Sequence, residues 1–204
     1  YRPQAVMVEF GFEAVRVMEA CAWTGMPLVV HFRGADASAR DRLGVLNRHY
    51  RRLMRIAAGV IVKSQPMAQT IVSLGARPDR VLISPSGANH ALFKGSAPAI
   101  APPVFLAVGR FVEKKGPLHT IRAFSLLETA TQHREQRPQL WMVGEGPLLE
   151  EAKTLVQSLG LQDRVHLLGL RTQEEVAALM REVRGFVQHS LVASDGDSEG
   201  SPVA

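Results

Sequence analysis

Apolar and polar positions along this chain follow two alternating patterns: short apolar runs of strand length, and longer stretches where apolar residues return at helical spacing. Ala5–Glu9 predicts a strand, Phe12–Trp23 a helix, and Pro27–Phe32 a second strand rich in β-branched residues. A helix over Arg40–Ile56, a strand over Gly59–Val62, a helix over Gln65–Leu74 and a strand over Arg80–Ile83 follow. Gly95–Pro103 (GSAPAIAPP) has no periodicity and reads as a linker. The alternation then resumes. Strands are predicted over Val104–Val108, Gln139–Val143, Val165–Leu168 and Gly185–Gln188. Helices are predicted over Gly116–Thr131, with Pro117 in the first turn, and over Leu148–Leu159; Val176, Leu179, Met180 and Val183 mark another.

Strand–helix alternation of this kind predicts parallel sheets covered on both faces, and a linker in the middle predicts two of them, over 1–97 and 98–204. Such sheets take ligands at the carboxyl ends of their strands, so two facing domains would hold a site in the cleft between them.

Composition adds bounds. Hydrophobic residues make up 46% and charged residues 21% of 204, a globular balance with length for one large domain or two modest ones. No apolar run reaches the roughly 18 residues that a membrane span needs. The lone Cys21 excludes an internal disulfide framework and, in an apolar stretch, reads as a core residue; a cytoplasmic location is the matching expectation. Tyr1 and the lack of a basic-then-apolar opening predict a chain that begins inside a longer protein. Charge is uneven: residues 1–99 carry 13 Lys and Arg against 6 Asp and Glu, while residues 100–204 carry 11 against 13. An anionic partner would prefer the first half.

Three junctions hold candidate chemistry. In Val108–Gly116 (VGRFVEKKG) a strand ends in Gly109, a loop carries Arg110 and Lys115, and a helix follows. Two cations beside a helix N-terminus suit a diphosphate; a solvated basic loop is the plain alternative. Val143–Pro147 (VGEGP) is a second strand–glycine–helix junction, open to either a tight turn or a close ligand contact. Ser190–Ala204 (SLVASDGDSEGSPVA) carries Asp195, Asp197 and Glu199, but its spacing lacks the later glutamate of an EF-hand loop. By itself it reads as a solvated turn.

Taken together, VGRFVEKKG, GEGPLLEEA, VHLLG and SDGDSEGSP resemble, in order and spacing, the donor-binding domain of glycosyltransferase family 4. VEFG at Val8–Gly11, GMPLVVHFRGADAS and LGARPDRVLISPSGANHALF are similar to the same family's acceptor domain. The resemblance covers nearly the whole chain and implies a GT-B fold: two Rossmann-like α/β domains facing across a cleft, both incomplete here. It further implies a retaining hexosyltransferase using a nucleotide-activated sugar without a metal or other cofactor. Arg110 and Lys115 match the cations on the donor diphosphate, where they would stabilise charge that grows as the sugar–phosphate bond breaks. Glu199 matches the first glutamate of the family's Glu-x7-Glu motif, facing the donor sugar, and Gly200 and Ser201 match the loop whose amides face the donor. The second glutamate would fall beyond Ala204. Gly109, Gly144, Glu145 and Gly146 are expected to line the nucleotide side, and Leu168–Gly169 to meet the base.

One position departs from the family. Where a histidine usually precedes the Gly-x-Asp turn, this chain has Arg33, with His31 two residues earlier. Two residues return to the same strand face, about 6–7 Å back. Arg33 is expected to line the site, with an anionic donor or acceptor group as its partner; His31 is either a second site residue or a core histidine. Asp36 is expected to orient the turn.

On the Arg40–Ile56 helix, Leu43, Leu46, Tyr50 and Leu53 share one face and Arg48, Arg51, Arg52 and Arg55 the other. That pattern suits peripheral contact with an anionic membrane surface as well as an ordinary solvated face. Nucleic acid is not expected, since no recognised module or interleaved aromatics accompany the charge. The partners the resemblance implies are a UDP- or GDP-sugar donor and a saccharide or lipid-linked acceptor, in cell-surface polysaccharide synthesis. The rival readings are a GT-B sugar-nucleotide epimerase or phosphorylase-like enzyme, and a non-catalytic nucleotide-sugar-binding protein; GRFVEKKG with DSEGSP argues against the first pair.

Overall fold

The structure, a computed structural model, describes residues 3–131 and 137–202. Its contacts divide the chain into two compact units: one runs to Gly87 and takes back the segment from Val192, and the other holds Ala88–Leu191.

In the first unit, β1 (Val6–Glu9), β2 (Leu28–His31), β3 (Gly59–Val62) and β4 (Val81–Ile83) form a four-stranded parallel sheet in the order β1-β2-β3-β4. The helices are α1 (Gly11–Thr24), α2 (Ala35–Ser38), α3 (Arg40–Ile56) and α4 (Gln65–Ser73). Leu28 and Val30 of β2 and Val60 and Val62 of β3 are buried with Ala14, Met18 and Cys21 of α1, Tyr50 and Leu53 of α3, and Ile71 of α4. Cys21 is thus a core residue. The arginine face of α3 is exposed, as its pattern predicts: Arg48, Arg51, Arg52 and Arg55 lie outside, with Arg52 paired to Glu19 and Arg51 donating to Asn47.

The second unit repeats the scheme with β5 (Val104–Val108), β6 (Gln139–Val143), β7 (Val165–Gly169) and β8 (Gly185–Phe186), all parallel, in the order β7-β6-β5-β8. Its helices are α5 (Pro117–Thr131), α6 (Leu149–Ser158) and α7 (Gln173–Glu182). The period of two is plain in β5: Phe105 and Ala107 pack on one apolar cluster with Phe111, Ile121 and Leu140, while Val104, Leu106 and Val108 pack on another with Val143, Val176 and Val183. Both faces of this sheet are therefore covered, as parallel sheets require.

The structure refines two expectations and adds one helix. The helix expected from Gly116 begins at Pro117, because Glu113–Lys115 forms a 3-10 turn that Gly116 closes in the left-handed region at φ 57°. The strand expected over Gly185–Gln188 ends at Phe186: Gly185 and Phe186 pair with Phe105 and Leu106 of β5, and Val187 N–H adds a bond to the Leu106 carbonyl. Short α2 carries no periodic signal and was not legible; the Asp36 side chain organises it, as described below. Phe93 packs in a second-unit cluster and Arg184 donates to the Ala101 carbonyl, so the Gly95–Pro103 segment lies within that unit. The last two residues of the Ser190–Ala204 tail fall outside the described residues. Among the described residues, no helix is long and apolar enough to cross a membrane.

Candidate functional site

At the carboxyl end of the second sheet, the ends of β5, β6 and β7 are laced together by main-chain bonds. Gly109 N–H donates to the Val143 carbonyl at 2.9 Å, Phe111 N–H to Glu145 at 2.8 Å, and Gly144 N–H to Gly169 at 2.9 Å. Backbones this close exclude side chains. A Cβ on Gly144 (φ 138°) would lie 2.0 Å from the Gly109 carbonyl oxygen, and one on Gly146 (φ 154°) 2.5 Å from that of Phe111. Those two glycines are dictated by backbone meeting backbone. Sequence alone left a turn and a ligand contact open; the close approach here is between loops of this unit.

The lacing sets two cations over the strand ends. The Lys115 stem lies across Gly109, with its Cδ 3.4 Å from where a Cβ would stand, and Arg110 is exposed on the same loop. Both line a cavity of about 30 Å³ with Thr120 and Gln188. That space holds a water or two, so an anion would sit at its mouth rather than inside. Beyond it, α5 begins at Pro117, and the helix dipole places partial positive charge at that end. Glu145 is exposed, and its Oε1 lies 3.9 Å from a Cβ position on Gly169. Leu168 is the extra residue of a β-bulge: Met142 pairs with Leu167 and Val143 with Gly169. Its side chain packs against the cluster that holds Val143 and Val176, and the Gly169 carbonyl of this turn accepts from Gly144 N–H.

In the first unit the sequence-predicted residues gather at the carboxyl ends of β1 and β2. Asp36 is 1% exposed, and its carboxylate accepts from the N–H groups of Gly34 at 2.8 Å, Arg33 at 3.0 Å and Gly11 at 3.0 Å. One side chain thus ties the Gly-x-Asp turn to the start of α1. His31 is 8% exposed, and its Nδ1 donates to Glu9 at 3.1 Å. Arg33, half-exposed, donates through Nη1 to the other Glu9 oxygen at 2.9 Å. The Arg33 guanidinium holds the Glu9 carboxyl below its ordinary value, partial burial opposes it, and His31 adds to the lowering.

The tail belongs to this unit too. Ser38 Oγ donates to Asp197 at 3.1 Å and accepts from Ser198 N–H at 3.3 Å, and Ser86 N–H donates to Ser201 Oγ at 3.0 Å. A Cβ on Gly200 would meet Met67 at 2.9 Å and Lys63 at 3.4 Å. Glu199 and Gly200 line a recess of about 230 Å³ with Ser38, Ser64, Thr70 and Met67. The structure therefore brings the predicted residues into two groups. Gly109, Arg110, Lys115, Gly144, Glu145, Gly146 and Gly169 lie in the second unit, and His31, Arg33, Asp36, Glu199, Gly200 and Ser201 in the first. Sequence reading missed Glu9; the only signal was an acidic residue at the end of an apolar strand.

Known proteins resemble this chain in sequence and in fold. A family model described as "Glycosyl transferases group 1" matches residues 91–204. The amylovoran biosynthesis glycosyltransferase AmsK of Erwinia amylovora is 30% identical over 203 residues, 97% of this chain and 49% of that protein. A candidate colanic acid biosynthesis glycosyltransferase of Salmonella typhimurium, WcaL, is 29% identical over 176 residues, 85% of this chain and 42% of that protein. This chain thus spans about half the length of the curated relatives it matches. HepE of Anabaena, crystallised with UDP and glucose, is similar with a TM-score of 0.69 at 22% identity, over 93% of this chain and 54% of that one. That likeness bears on the fold: the two parallel sheets are those of a GT-B protein.

Proposed function

This chain belongs to the glycosyl transferases group 1 family, and on that premise we propose that it carries much of the machinery of a retaining, metal-independent hexosyltransferase. In this reading a hexose moves from a UDP- or GDP-sugar to a saccharide or lipid-linked acceptor during cell-surface polysaccharide synthesis. The relatives AmsK and WcaL are named for amylovoran and colanic acid biosynthesis, and HepE was crystallised with UDP and glucose, which supports this setting.

The observation that carries the proposal is the laced junction in the second unit. Gly109, Gly144 and Gly146 clear side chains from the strand ends, and Arg110 and Lys115 stand where a diphosphate can meet them. As the bond between the anomeric carbon and the diphosphate oxygen breaks, the electron pair moves onto the diphosphate. Arginine meets that growing charge as a planar fork and lysine as a point charge, with the α5 N-terminus adding partial charge. Two side-chain cations and a helix end in these places supply what a divalent cation supplies elsewhere, and no cofactor is part of the scheme. Glu199 takes the role of the carboxylate facing the donor sugar, and the amides of Gly200 and Ser201 face the donor. The exposed arginines of α3 would rest on the anionic inner face of the cytoplasmic membrane, where lipid-linked acceptors lie.

Turnover tests this reading. UDP-glucose, UDP-galactose, UDP-N-acetylglucosamine and GDP-mannose are each supplied in EDTA with methyl glycosides as acceptors, and nucleoside diphosphate release is followed. One donor class is expected to react with its anomeric configuration kept. A strict need for a divalent cation, or an inverted product, would contradict the mechanism.

A further inference from the structure

Phe10 is the single non-glycine residue with positive φ among the described residues, at φ 70° and ψ 131°. Glycine adopts such a conformation freely and phenylalanine does not. The position is held from both sides: Phe10 N–H donates to the His31 carbonyl at 2.9 Å, and Gly11 N–H to Asp36 at 3.0 Å. Yet the ring does little for the core. It is 40% exposed, belongs to none of the apolar clusters, and stacks on Phe12 with centroids 5.4 Å apart and planes at 20°. A strained backbone holding an exposed aromatic, at the carboxyl edge of a parallel sheet, points to something the ring presents.

Its neighbour in sequence supplies the complement. Glu9 is shared between buried His31 and half-exposed Arg33, so the carboxylate is fixed in place. Side chains of Glu9 and Arg33 are 47% and 45% exposed, leaving both groups open to further hydrogen bonds. Sugar rings have an apolar C–H face, which lies on aromatic rings, and vicinal hydroxyls. A fixed carboxylate can accept from those hydroxyls while a planar guanidinium donates to them.

We propose that Glu9, Phe10 and Arg33 form a subsite for a neutral pyranose ring, with Phe10 as its apolar wall and the Glu9–Arg33 pair as its hydroxyl clamp. The proposal rests on the sugar-transferase reading and names the chemistry of one of its subsites. The ring comes either from the acceptor or from the donor's hexose.

Phe10→Gly and Glu9→Gln test it in the full chain. Affinity for methyl glucoside, galactoside, mannoside and N-acetylglucosaminide is read by saturation-transfer NMR. UDP and UDP-glucose are titrated separately by calorimetry. Phe10→Gly is expected to keep UDP affinity and an unfolding midpoint no lower than the parent's, because it relieves a strained position. Both variants should weaken one sugar arm by about fivefold or more. Loss of methyl glycoside binding assigns the subsite to the acceptor; loss of the UDP-glucose advantage over UDP assigns it to the donor. If neither arm changes, or Phe10→Gly lowers the unfolding midpoint, the proposal is overturned. Absence of UDP binding alongside Phe10-dependent glycoside binding would sink the transferase reading and leave the subsite standing.

Discussion

Asp36 shows how much one side chain can organise. It is a buried carboxylate that three main-chain N–H groups satisfy. Charge-assisted hydrogen bonds hold it, so Asp36→Ala would strand buried donors. About 3 kcal/mol of stability should be lost, measured by urea unfolding. The sequence suggested that Asp36 orients its turn. It could not show that Gly11, 25 residues earlier, is the third donor. Glu9 escaped notice for a similar reason: its partners lie on the next strand, in register with it, and a register exists only once strands pair. Because Arg33 depresses the Glu9 carboxyl, the pair's contribution is present at neutral pH and is lost as pH falls below the ordinary glutamate value of about 4.3. In Arg33→Ala the Glu9 carboxyl should titrate higher, read by carbon-13 NMR; an unchanged titration would mean the contact does not form in solution.

Elements were the most legible level, since each carries its own periodic signal. Val104–Val108, Gln139–Val143 and Gly59–Val62 are strands with the bounds that their apolar runs predict, and α3 spans Arg40–Ile56 as expected. Legibility fell where a single residue redirects the backbone. Gly116 closes a 3-10 turn before α5, and the bulge at Leu168 shifts the register so that Val143 pairs with Gly169. Helix α7 offers a clean test of local determinants. Thr172 accepts from Glu175 N–H at 3.2 Å while the Glu175 carboxylate accepts from Thr172 N–H at 2.7 Å, forming a capping box. Thr172→Ala should cost about 1 kcal/mol by thermal unfolding. Gly144→Ala should cost more, about 3 kcal/mol, because a Cβ cannot pass the Gly109 carbonyl and the φ of 138° disfavours any side chain.

At the scale of the whole molecule, alternation predicted two parallel sheets, and two four-stranded parallel sheets are present. The return of the tail from Val192 to the first unit was not legible. It depends on bonds such as Ser38 to Asp197, across 159 positions, which no local pattern encodes. Motif order pointed to the family, and the family model covering residues 91–204 agrees with it. In the proposed mechanism Arg110 and Lys115 hold a nucleoside diphosphate without a metal. Calorimetry of UDP and GDP in EDTA, on this chain and on an Arg110→Ala, Lys115→Ala double variant, tests it most directly. One nucleotide is expected to bind, and the double variant to weaken it by about tenfold or more. Binding of neither, or binding only after a divalent cation is added, would contradict it.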